Sequence, residues 1–84
     1  MNFEQVIQLL EKIVNDRTVP KNIRKACEES KNSLTNSEAS FDLKVSTAIH
    51  VLDEIINDPN MPLYTRTQIW NIVSALEQLR KENK

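Results

Sequence analysis

An all-α fold, a compact four-helix bundle made of two repeated helical hairpins, is predicted by three features of the sequence. Glycine is absent from all 84 residues, which removes the residue that tight β-hairpins depend on and leaves helices as the elements that need it least. Apolar residues recur at three- and four-residue spacing in four segments separated by polar or proline-containing breaks. Finally, IVNDRTVPKNIR, Ile13 to Arg24, returns forty-two positions later as IINDPNMPLYTR, Ile55 to Arg66. Self-similarity at such a period marks a repeated supersecondary unit, read here as a helical hairpin.

In the first segment Phe3, Val6, Ile7, Leu10, Ile13 and Val14 fall on one stripe, so helix one runs from about Asn2 to Asn15. The chain then reaches Pro20, which suits a helix's first turn, and helix two begins at Val19 or Pro20 with Thr18 as its N-cap. Its stripe is poor: Ile23, Ala26, Cys27, Ser30 and Leu34, whose small members let the helix sit close to a neighbour. Ser33 to Ser40 reads as the middle loop, with Thr35 and Glu38 as a capping box for helix three, and Ser37 or Ser40 as alternative caps. Helix three carries Phe41, Val45, Ala48, Ile49, Leu52, Ile55 and Ile56 and ends at Asn57 and Asp58. Pro59 and Pro62 prevent its continuation. Helix four starts near Met61 or Pro62 and carries Thr65, Ile69, Ile72, Val73, Leu76 and Leu79 before a tail, Arg80 to Lys84, that should fray.

These elements make one domain, with hairpin one at about 2–34 and hairpin two at about 37–82. Because each hairpin has only the other to cover its apolar stripe, a closed bundle is favoured. The alternative is a HEAT-like pair of helical repeats, since the apolar helix, Asn-Asp turn, proline and following arginine are similar to that repeat.

Composition narrows function more by exclusion than by assignment. Apolar residues make up 39 % and charged residues 27 %, with no long apolar run, so a soluble domain rather than a membrane span is expected. Without glycine neither common phosphate-binding loop can be built, and no cofactor is implied. A net charge of -1 provides no global attraction to nucleic acid. No secretory signal is read at the N-terminus and Cys27 has no partner for an intrachain disulfide, so a cytoplasmic setting is expected.

The run LDEIINDPNMPLYTRTQIWNIVSALE, Leu52 to Glu77, together with the weaker copy IVNDRTVPKNIRKAC, resembles a small uncharacterised archaeal family, uncharacterised protein family 0147. The resemblance covers nearly the whole chain. It implies a stand-alone archaeal four-helix protein and brings no catalytic or binding residues with it.

Residue by residue, chemistry is sparse. Cys27 lies on a buried stripe, His50 falls off the apolar face, and the carboxylates at Asp53, Glu54 and Asp58 lack the inward Glu-x-x-His spacing of a bundle metal site. No catalytic group and no metal ligand is therefore assigned. Asp16 with Arg24 and Asp58 with Arg66 recur as pairs, and each arginine is expected to staple its turn by reaching the aspartate or the turn carbonyls. Two surfaces depart from helical routine. Arg17, Lys21, Arg24 and Lys25 crowd the start of helix two, where the macrodipole favours negative charge, and could hold a phosphate or an RNA backbone. On helix four Leu63, Arg66, Trp70 and Val73 form an apolar flank whose counterpart in the first copy is charged. That flank is the expected contact for a protein partner or for self-association. The leading expectation is thus a non-enzymatic interaction or scaffold module, with phosphate or nucleic-acid binding as the alternative.

Overall fold

The computed structural model describes residues 1–83. Helices account for most of them: α1 Phe3–Val14, α2 Lys21–Leu34, α3 Phe41–Ile55 and α4 Leu63–Glu82. α1 opens on a capping box that sequence reading missed, in which the Asn2 side chain accepts from the Gln5 N–H and the Gln5 side chain from the Asn2 N–H, both at 2.8 Å. Ser40 caps α3 by accepting from the Leu43 N–H at 3.2 Å. α2 and α4 instead begin after Pro20 and Pro62, neither of which offers a side-chain cap.

Three expectations about boundaries are corrected. Thr18 is not the cap of α2, because its N–H and hydroxyl both donate to Asp16 Oδ1, at 2.9 and 2.6 Å. Thr35 does not open α3. It closes α2 as its C-cap, its hydroxyl donating back to the carbonyls of Lys31 and Asn32 at 3.1 and 3.2 Å. Arg80, Lys81 and Glu82 do not fray, since Arg80 Nη1 donates to Ser46 Oγ on α3 at 3.1 Å and anchors the final turn. Asn83 is the C-cap of α4, its N–H donating to the Leu79 carbonyl, and Lys84 lies outside the described residues.

The connections repeat more finely than the sequence alignment does. Asp16, Asn36 and Asp58 each use Oδ1 to accept the N–H two residues on, from Thr18, Glu38 and Asn60 at 2.9, 3.0 and 2.8 Å. Each also accepts, through its carbonyl, the N–H of Val19, Ala39 or Met61. The same Asx turn therefore joins every pair of successive helices. The repeating unit is one helix and one turn, and the offset of forty-two comprises two steps of it.

Turns this short make successive helices antiparallel neighbours. α1 packs on α2, α2 on α3 and α3 on α4, and α4 closes the ring against α1, with no such close backbone approach across either diagonal. Stacked HEAT-like hairpins would instead place α1 on α3 and α2 on α4, so the compact four-helix bundle holds and the alternative does not. Val6, Leu10, Ile23, Leu34, Val45, Leu52, Ile69, Ile72 and Leu76 fill the axis, and Val19 and Met61 seal one end from the turns. α2 has few large apolar residues, but its serines compensate: buried Ser30 Oγ donates to the Ala48 carbonyl at 3.4 Å and Ser33 Oγ to that of Lys44 at 2.9 Å. Small side chains bring α2 close enough to α3 for those bonds to form. At that end of the bundle the Phe3 and Phe41 rings meet at 5.7 Å.

Candidate functional site

The four cations predicted at the start of α2 are only partly brought together. Lys21, Arg24 and Lys25 line a shallow groove of about 490 Å³ with Val14 and Glu28, whereas Arg17 stands outside it on the exposed turn. No acidic residue occupies the first turn of α2 and no side chain caps it, which leaves its leading N–H groups pointing outward. Glu28 nevertheless puts a carboxylate into the same groove.

Neither arginine pairs with its aspartate among the described residues, which corrects half of the expected stapling. Arg66 does reach its turn, Nη2 donating to the Asp58 carbonyl at 2.8 Å. Arg24 makes no such bond, and the Nε of both arginines is buried without a partner. The acidity of Asp16 is raised chiefly by the hydroxyl and N–H of Thr18, with Arg24 a minor contributor. A different contact ties the start of α2 to the α3–α4 turn: Asn22 Nδ2 donates to Asp58 Oδ2 at 2.6 Å.

The flank predicted on α4 is placed on the surface, with one exception. Leu63 is 78 % exposed and Trp70 57 % exposed, standing two helical turns apart on one face. Arg66 is half-buried beside them as the turn staple. Val73, at 8 % exposed, belongs to the core and offers a partner little. Tyr64, 72 % exposed, was missed, as was the wider pattern: between Leu63 and Ala75 the only charged residue is Arg66. The outward residues Thr67, Asn71 and Ser74 extend this uncharged face. A count of charges along the helix would have revealed it.

Elsewhere the titratable groups do not converge. Cys27 is fully buried and desolvation pushes its thiol up to about 12, far from a reactive thiolate. His50 lies on the surface 3.6 Å from Glu54, one turn along α3. No group of three His, Cys, Asp or Glu side chains is placed to hold a metal ion among the described residues.

Comparison with known proteins assigns the chain to a family on sequence and fold together. The profile of an uncharacterised protein family, UPF0147, matches residues 1–79. The chain belongs to that archaeal family. A UPF0147 protein of Methanocaldococcus jannaschii is 53 % identical over 75 residues, covering 89 % of this chain and 81 % of its own length. One from Pyrococcus horikoshii is 49 % identical over 79 residues, covering 93 % and 85 %. A crystal structure of a UPF0147 protein from Thermoplasma acidophilum superposes with a TM-score of 0.88 at 44 % identity, covering 92 % of this chain and 91 % of that one. A second crystal structure, of a protein of unknown function, reaches a TM-score of 0.86 at 52 % identity over 89 % and 85 %. The same fold is thus seen in two solved proteins similar to this chain. No helix among the described residues is long and apolar enough to cross a membrane.

Proposed function

We propose that this UPF0147 chain is a non-enzymatic interaction module of the cytoplasm that docks on protein through the outward face of α4. One observation carries the reading. From Leu63 to Ala75 the helix holds a single charge, and the guanidinium that bears it is engaged by the Asp58 carbonyl. In a chain that is 27 % charged, three turns of exposed surface bearing leucine, tyrosine and tryptophan have the composition of an interface core, where charge is depleted and aromatic residues are enriched. A merely solvated helix face would be charged, as α2 is at Lys21, Lys25, Glu28 and Glu29. The test is retention of purified binding partners by the wild-type chain and by Trp70→Glu, with Glu77→Lys as a surface control. Loss confined to Trp70→Glu is expected, and equal retention by all three would refute the reading.

The groove of Lys21, Arg24 and Lys25 favours a second reading, binding of a phosphate group or nucleic-acid backbone. Its discriminating feature is salt: such binding weakens steeply as salt displaces it. Binding of RNA or DNA that is weak and indifferent to salt would dispose of this reading.

A further inference from the structure

The α4 face has a size pattern as well as an absence of charge. Leu63, Thr67, Trp70 and Ser74 follow at alternate spacings of four and three, so they form one line along the helix, and their side chains run large, small, large, small. About a two-fold axis, two such helices pair antiparallel, and every residue meets one whose position is fixed by the axis. An axis passing between Thr67 and Trp70 sets Trp70 of each copy against Thr67 of the other and Leu63 against Ser74. Each large side chain then meets a small one. The next charged residue on the line, Glu77, falls opposite Asn60 in the turn, outside this central contact.

We infer that the occupant of the α4 face is a second copy of this chain, paired antiparallel in that register; this rests on reading the face as a protein-docking surface. Charge argues for it, because an isologous contact sets a surface against itself, and like charges that would oppose one another are missing from this one. Area argues for it as well. Leu63 and Trp70 on the line, with Tyr64 at its α1 edge, leave on the order of 400 Å² of side chain in solvent. That is about half of the roughly 800 Å² each partner buries in a standard interface, and Thr67, Asn71 and Ser74 extend it. The contact is also one that a small domain gains from, since its own core is limited.

Sedimentation equilibrium of the full chain between about 1 and 100 µM, a range matched to an interface of this size, tests the inference. The wild type is expected to approach dimer mass, and Trp70→Glu or Leu63→Glu to remain monomeric with an unchanged far-UV spectrum. Thr67→Trp gives the sharper test. It adds apolar surface, so unspecific adhesion would strengthen, whereas the proposed register opposes tryptophan to tryptophan and association should weaken at least ~10-fold. A wild type that stays monomeric, a Trp70→Glu chain that still dimerises, or a Thr67→Trp chain that associates as tightly as wild type would each overturn the proposal. A monomeric wild type whose binding to a purified partner is lost in Trp70→Glu would overturn the second copy alone and leave the docking reading standing.

Discussion

Arg66 donates from Nη2 to the backbone carbonyl of Asp58 at 2.8 Å, so a side chain in the first turn of α4 closes the turn that leads into its own helix. Its counterpart Arg24 occupies the same place in the first copy without making that bond. The aspartates differ in their other partners too: Asp58 is also held by Asn22 of α2, whereas the Asp16 side chain bonds only locally to Thr18. Both turns share the Asx bond and the carbonyl bond to the third residue on, and the Asp58 turn adds Arg66 at its carbonyl and Asn22 at its carboxylate.

Arg66→Ala should cost about 1–2 kcal/mol, the worth of a charged hydrogen bond to a partly buried carbonyl. Thermal melting should show it as a fall of several degrees, since about 1 kcal/mol moves the midpoint of a domain this small by roughly 4–8 °C. Arg24→Ala should cost less and the exposed Lys81→Ala almost nothing. Equal midpoints for Arg66→Ala and Lys81→Ala would contradict the stapling role.

The caps can be told apart by urea denaturation. Ser40→Ala removes the acceptor of the Leu43 N–H and should cost about 1 kcal/mol. Glu38→Ala, which would break a capping box if Glu38 completed one, should stay within about 0.5 kcal/mol of wild type.

Four helices and their order were legible because apolar periodicity is a strong signal, and the proline-bearing turns were legible because Pro20 and Pro62 punctuate them. The middle turn escaped notice as a third copy because it has Asn36 in place of aspartate and Ser40 in place of proline. Its geometry needs only a side-chain oxygen and an extended residue before the helix, which asparagine and serine supply as well. Thr18 and Thr35 misled for a related reason. A threonine near a helix end can cap it or bond backward, and three-dimensional placement decides which. In the candidate site Leu63 and Trp70 were found from the contrast between the copies. Val73 was read both on the apolar stripe and on the flank, and the core claims it because α4 packs between two neighbours.

Asp16 makes acid stability a further check. Its carboxyl is held below its ordinary 3.8 by hydrogen bonds from the Thr18 hydroxyl and N–H. A depressed folded-state value contributes stability that is present above the unfolded value and lost as pH falls through the folded one. Asp16→Asn keeps an acceptor at that position, as Asn36 does, but cannot titrate. Its melting temperature should lie below wild type near neutral pH, and the gap should close as pH falls below 3.8 and the wild-type carboxylate is protonated. Parallel curves for the two chains would count against this assignment.

Cys27 should serve as a reporter of global opening. Fully buried and with its thiol raised to about 12, it should resist a disulfide reagent in the native chain near pH 8 and react at once in denaturant. Rapid native labelling would mean that α2 leaves the bundle far more readily than its packing implies.

Trp70 is the only tryptophan in the chain, so its fluorescence reports on the α4 face without labelling. If a second copy covers that face, raising the concentration from about 1 to 100 µM should shift the emission to the blue and shield it from acrylamide quenching, and Leu63→Glu should abolish both changes. Emission and quenching that stay constant across that range would contradict the account.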